Sequence, residues 1–220
     1  MLLIFDLDDT LIQTTATFTP FQLERALKKM VKEGLSLPDL SQAIEEIQRI
    51  DYRSLSAKAT LSEFLEIRGA GQIFFEIGLK EIYEDFPLAF PIAPMEDAIE
   101  ILLRLSRGYI LALVTAGRER EQRAKLKNAG IDSTLFSKII VCEKGEKGRC
   151  YQALAEEFQI ASSGVVVCGD RIALDLVPAK ERGYRTIHMR EGRGKREPRR
   201  HPSVDFTVNS LRELEEMVKR

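Results

Sequence analysis

Histidine and cysteine are scarce in this chain, and neither is arranged for metal or redox chemistry. The only two histidines, His188 and His201, lie far apart, which argues against a histidine-based zinc site. The three cysteines, Cys142, Cys150 and Cys168, show no C-x-x-C spacing. An odd number without a framework fits reduced thiols packed as small hydrophobes, and so a cytoplasmic setting. An excess of one charge is missing too: 33 basic side chains face 34 acidic ones, for a net charge of −1. No global field therefore favours nucleic acid or a membrane surface as partner. No apolar run approaches the length that crosses a bilayer. The apolar start is only a few residues long and runs into aspartates, which predicts no signal peptide. Internal repeats and low-complexity segments are absent as well.

What remains is an ordinary globular composition, 44% hydrophobic and 30% charged over 220 residues. That length buries a core without staples, as one large domain or as a domain with an insertion. Short β-rich runs recur at Leu2–Phe5, Ile110–Val114, Lys138–Cys142, Val165–Cys168 and Tyr184–His188, with Val204–Val208 as a sixth. Strands that are apolar throughout belong in parallel sheets covered on both faces. Between them lie helical patterns at Glu96–Arg107, Arg118–Ala129, Tyr151–Phe158 and Leu174–Arg182. The alternation predicts an α/β fold with a Rossmann-like, doubly wound parallel sheet.

One gap breaks the rhythm. Roughly a hundred residues between the first strand and Ile110 contain no convincing strand. Thr19-Pro20-Phe21-Gln22 reads as a capping box with proline at the first helical position. A helix follows with Phe21, Leu27, Met30 and Val31 on one side. Pro38 opens a second helix with Leu40, Ile44, Ile47 and Ile50, and Leu55–Ile67 and Ile73–Tyr83 supply two more. Asp85–Pro94, with three prolines, reads as an extended linker. The expected organisation is a core of residues 1–13 and 91–220, with a helical bundle of residues 14–90 inserted after the first strand.

Ligands of open α/β sheets bind beyond the carboxyl ends of the strands. There the sequence places Asp6 and Asp8 after the first strand, Thr115-Ala116-Gly117 after the second, and Gly169-Asp170 with Asp175 after the fourth. Lys144 and Lys147 lie between the third strand and its helix. Carboxylates crowded this way call for a cation, and oxygen-only donors point to Mg2+. A lysine and backbone N–H groups beside them complement phosphate oxygens. The set looks like phosphoryl-transfer machinery.

"DLDDT", then "LVTAG", then a lysine, then "GDRIALD" resembles the haloacid dehalogenase (HAD) superfamily, with the four motifs in order and at strand ends. The resemblance covers nearly the whole chain outside the insertion. The insertion resembles the helical cap of the first subclass, which includes phosphoglycolate phosphatases, β-phosphoglucomutases and dehalogenases. It implies Asp6 as nucleophile and metal ligand, and Asp8 as general acid/base, with its backbone carbonyl on the metal. Asp170 is implied as the acidic metal ligand and Asp175 as the acid that orients its neighbours. Thr115 with the amides of Ala116 and Gly117, together with a lysine, is implied to hold the phosphoryl group. Lys147 is favoured over Lys144 because it starts a helix and its distance to Asp170 suits the family. Asp9 is expected to be solvated or to help the following turn. The family's usual asparagine is replaced by Ala116, and its lysine–proline pair is absent.

The resemblance therefore implies a Mg2+-dependent phosphatase acting on a small-molecule phosphate ester, as a monomer or homodimer, with neither membrane nor nucleic acid as partner. A β-phosphoglucomutase-like mutase shares the chemistry. A dehalogenase is disfavoured by Asp8, and a non-enzymatic binding role is disfavoured by the intact set of acids. The stretch Arg190–Arg200 carries six basic residues in eleven and is read as a solvated loop.

Overall fold

The computed structural model describes residues 1–85, 87 and 89–219. Its elements run β1 (Leu2–Phe5), α1 (Thr19–Lys32), α2 (Leu40–Arg53), α3 (Ala57–Ile67), α4 (Gln72–Tyr83), α5 (Ala98–Leu105), β2 (Ile110–Ala116), α6 (Glu119–Asn128), β3 (Lys138–Cys142), α7 (Lys147–Glu157), β4 (Val165–Gly169), α8 (Val177–Lys180), β5 (Arg185–Met189), β6 (Phe206–Val208) and α9 (Leu211–Val218). The six strands form one sheet in the order β3-β2-β1-β4-β5-β6, every neighbouring pair parallel. This is the α/β, Rossmann-like, doubly wound architecture expected from the apolar runs.

Burial explains why those runs are strands. All four residues of β1 are buried, as are all five of β4. Leu2, Ile4, Ala112, Val114, Val165 and Val167 pack against Tyr151 and Leu154 of α7 and Ala179 of α8. The alternate residues, Leu3, Phe5, Leu113 and Val166, are buried on the opposite face. Each such side chain is worth about 1.5–3 kcal/mol relative to exposure. Strand order reverses at β1, which lies between β2 and β4. That makes the carboxyl end of β1 the topological switch point.

The chain divides into two compact units, Met1–Thr15 with Ile92–Arg220, and Ala16–Pro91. Within the first, the stretches that lead out and back pair with each other: Gln13 N–H donates to the Ala93 carbonyl (2.8 Å) and Met95 N–H to that of Leu11 (2.8 Å). The second unit holds α1–α4 around Leu23, Leu27, Met30, Ile47, Ile50, Leu61, Phe64 and Ile82. Asp39 caps α2 through the amides of Ser41 and Gln42, and Ser56 caps α3 through that of Ala59. Gly78 lets α4 close on α3, since a Cβ there would stand 2.6 Å from Leu61 Cδ2.

Several local expectations change. Thr19 caps nothing: a π-helical turn over Thr14–Phe18 runs straight into α1, so the helix has no free start to cap. Val31, placed on the apolar side of α1, is exposed. The single helix read over Leu174–Arg182 divides into a π turn, Ile172–Leu176, and the short α8, because Pro178 has no N–H to continue the ladder. Helix α7 begins at Lys147, which stands at the helix start as expected, one turn ahead of the apolar pattern that opens at Tyr151. Of the linker read over Asp85–Pro94, Phe86 and Leu88 lie outside the described residues.

Candidate active site

Three carboxylates and a lysine meet at the switch point. Asp6 follows β1 directly, its N–H donating to the Cys168 carbonyl of β4 (2.9 Å). Asp170 follows β4, and Asp175 sits in the π turn behind it. Lys147, the first residue of α7, reaches back with Nζ 2.5 Å from Asp6 Oδ1 and 2.6 Å from Asp175 Oδ1. The second Asp175 oxygen accepts the Arg171 N–H (2.9 Å), so both its oxygens are engaged. Gly169 permits this close packing: a Cβ there would lie 2.5 Å from the Asp175 carboxylate.

Carboxylate oxygens of Asp6, Asp170 and Asp175 all lie within 4.8 Å of one another, and all three residues are buried. One ammonium faces three carboxylates. Burial pushes the Asp6 carboxyl up to about 7, with Lys147 pulling down and Asp175 and Asp8 pushing up. Burial also drives Asp170 well above the usual carboxylate range, and Asp175, Asp9 and Asp6 add to it. Among the described residues, nothing donates a hydrogen bond to the Asp170 carboxylate. Such a donor set, all oxygen, crowded and under-neutralised, fits a hard divalent cation.

Asp8 stands apart from that cluster. Its carboxylate accepts from Thr14 Oγ1 (2.5 Å), Gln122 Nε2 (3.2 Å) and Lys125 Nζ (3.0 and 3.3 Å). Burial alone would raise it; the Lys125 ammonium and these hydrogen bonds outweigh burial and hold it below the usual range. The Asp8 side chain keeps 31% of its surface exposed.

Thr115, the penultimate residue of β2, is buried with its hydroxyl lacking any partner. A buried unpaired hydroxyl is costly unless something else completes it. Ala116 is half-buried at the end of β2. Gly117 requires a correction: its N–H donates to the Cys142 carbonyl (3.1 Å), which extends the ladder and removes that amide from ligand binding. Lys144 is exposed and distinct from the cluster that Lys147 joins.

Asp9, expected to be solvated or to help the following turn, is buried at a φ of +53° and holds that turn. It accepts from the Thr15 amide (2.8 Å), the Thr15 hydroxyl (2.5 Å) and the Arg193 amide (3.2 Å). The basic stretch is accordingly not a free loop. Gly192 packs on Asp9, and Gly194 lies against the Asp170 backbone, where a Cβ would meet the Met189 carbonyl at 2.4 Å. Its remaining charges are partly paired, Lys195 with Glu191 and Glu197 with Arg171. Behind Asp170, the buried His188 ring nitrogen Nε2 contacts the Asp170 carbonyl (3.0 Å).

Sequence reasoning missed Lys125 and Gln122. The available signal was the inward stripe of α6, "EREQRAKLKN", where Gln122, Lys125 and Leu126 stand at helical spacing with one large apolar residue among them. For the burial of Asp9 the covering partner is distant, since Arg193 is 184 residues away, although Thr15 is only six residues on.

The sequence profile of the haloacid dehalogenase-like hydrolases matches residues 1–183, and the chain belongs to that family of hydrolase enzymes. Two relatives are named glyceraldehyde 3-phosphate phosphatase. The one from Methanocaldococcus jannaschii is 28% identical, covering 99% of this chain and 96% of its own. The one from Pyrococcus furiosus is 22% identical, covering 99% and 92%. Among solved structures, a HAD-superfamily hydrolase of subfamily IA from Geobacter sulfurreducens superposes with a TM-score of 0.70 at 16% identity, covering 99% of this chain and 95% of that one. A HAD-family hydrolase from Bacillus subtilis, described as bound to magnesium, gives 0.67 at 17%, covering 100% and 98%. These last two likenesses are of fold.

Proposed function

We propose that this chain is a Mg2+-dependent phosphatase that hydrolyses a small phosphomonoester through an aspartyl-phosphate on Asp6. The observation that carries the reading is the Asp6 carboxylate set between Lys147 and the Asp170 carboxylate at the switch point. Asp6 attacks phosphorus and the ester P–O bond breaks; Asp8, ionised at rest, takes up a proton from solvent when the ester binds and gives it to the departing alkoxide. Asp8 then takes a proton from water, which attacks the phosphorus of phospho-Asp6 and releases inorganic phosphate and the Asp6 carboxylate. Lys147 neutralises Asp6 and the charge that develops on the transferred group. The unpartnered Thr115 hydroxyl is free to donate to a phosphoryl oxygen, and the Ala116 amide is the second donor.

Asp6, Asp170 and the Asp8 carbonyl would hold Mg2+, with Asp175 orienting Lys147 and the Arg171 amide. Bound there, the ion supplies Lewis-acid stabilisation of phosphoryl charge. The helical unit of residues 16–91 is, in this reading, the cap of the family's first subclass. Similarity to the archaeal relatives makes glyceraldehyde 3-phosphate the first ester to test. The assay is p-nitrophenyl phosphate turnover with and without Mg2+, in wild type and Asp6→Asn, followed by a panel of phosphate esters. Turnover that needs the metal and vanishes in Asp6→Asn is expected. Metal-independent turnover, or full activity in Asp6→Asn, overturns the reading.

A further inference from the structure

Lys125 is a costly residue to bury and lies outside the four motifs. Lysine is almost never fully buried unless paired, and an apolar side chain would fill the same space at lower cost. Yet Lys125 keeps only 5% exposure, on a helix whose Glu119, Arg120, Arg123 and Lys127 are exposed. Its Nζ bridges both oxygens of Asp8, at 3.0 and 3.3 Å, and also meets Glu121 (3.2 Å) one turn back. One turn N-terminal, Gln122 binds Asp8 Oδ2 (3.2 Å) and the Ala116 carbonyl (2.9 Å). It thereby ties Asp8 to the end of β2, where Thr115 stands. Gly117 is needed beside it: a Cβ there would lie 2.7 Å from Gln122 Nε2. With Thr14 on Oδ1, three donors fix the Asp8 carboxylate in one orientation.

We propose that Lys125 and Gln122 are positioning residues that hold the Asp8 carboxylate out of the Asp6–Asp170–Asp175 cluster and toward the leaving-group oxygen. The proposal rests on the phosphatase reading and deepens it. A loose Asp8 would have a second place to go, since a free carboxylate is a ready ligand for the divalent cation that Asp6 and Asp170 would hold. A side chain captured that way cannot deliver a proton. Misplacement by about 1 Å at a reacting centre costs on the order of a hundredfold in rate.

The test compares two esters that form the same phosphoenzyme. A p-nitrophenolate leaves without protonation, whereas the alkoxide of glycerol 2-phosphate needs a proton from Asp8. In Lys125→Met, kcat/KM for glycerol 2-phosphate is expected to fall on the order of 10–100-fold, while that for p-nitrophenyl phosphate falls less than about threefold. Lys125→Arg should recover most of the loss, and Gln122→Leu should show the same asymmetry at smaller size. Equal losses on both esters, or no loss on either, overturn the proposal. If Lys125→Met does not fold by thermal unfolding, the Gln122→Leu ratio decides alone. Failure of the phosphatase reading looks different: wild type would then turn over neither ester.

Discussion

Replacing Lys147 with methionine removes the ammonium that, among the described residues, alone contacts the carboxylate cluster, while keeping the side chain's length and apolar stem. Lys147 is 5% exposed and sits 2.5 and 2.6 Å from two carboxylates. At an effective dielectric of about 20, each contact is worth roughly 6–7 kcal/mol of Coulomb attraction. Relief from burying the ammonium offsets much of that, and removal of one partner of a buried pair nets about 3–5 kcal/mol. Lys147→Met is therefore expected to unfold at lower urea in EDTA at pH 7.5, with a deficit of about 3–5 kcal/mol. The deficit should shrink at pH 5. Burial already raises the Asp6 and Asp170 carboxyls above their unfolded values, and without the lysine its offset at Asp6 is lost, so they destabilise the fold at high pH and the penalty is relieved as pH falls. Adding Asp175→Asn should restore part of the stability. A deficit below about 1 kcal/mol, or one that grows on acidification, would refute the electrostatic account of the cluster.

Asp170→Asn should stabilise the protein in EDTA by at least about 1 kcal/mol, because it removes a buried carboxylate that accepts no hydrogen bond; thermal melts should also show that Mg2+ raises the Tm of wild type but not of this variant. Glu215 is gripped by the Arg104 fork (2.9 and 2.7 Å) and by Lys219 (2.7 Å), and the Arg104 hydrogen bond foremost holds it at about 2, below the ordinary 4.5. A depressed carboxyl stabilises the fold above its unfolded pKa, so Glu215→Gln should lower the Tm at pH 7, and the difference should close as pH falls from 4.5 toward 2. Gly192→Ala places a Cβ 2.1 Å from Asp9 Cγ at a φ of +47° and should cost about 2–3 kcal/mol in urea unfolding, with faster amide exchange at Arg193.

The elements that could be read from the chain are those whose cause is local. Leu2–Phe5 and Val165–Cys168 are apolar throughout because both sheet faces are covered, and that pattern survives in the sequence. The acids after β1 and β4 are legible because strand ends are where parallel sheets put ligands. What was not legible depends on distant partners. Lys125 looks like one more charge on a charged helix until Asp8, 117 residues earlier, folds against it. Asp9 looks solvated until Gly192 and Arg193 cover it. The Gly117 amide looks available until β3 extends far enough for the Cys142 carbonyl to take it. Thr19 has the composition of a cap, but the π turn before it leaves nothing to cap.

The central claim is a covalent phosphoryl group on Asp6. Acid quench during turnover of p-nitrophenyl phosphate with Mg2+, borohydride reduction and peptide mass spectrometry tests it directly. Reduction of an aspartyl-phosphate should convert Asp6 to homoserine in wild type, with no conversion when substrate is omitted. Steady turnover with residue 6 left as unmodified aspartate, or with the adduct on Asp8 or Asp170, would contradict the account.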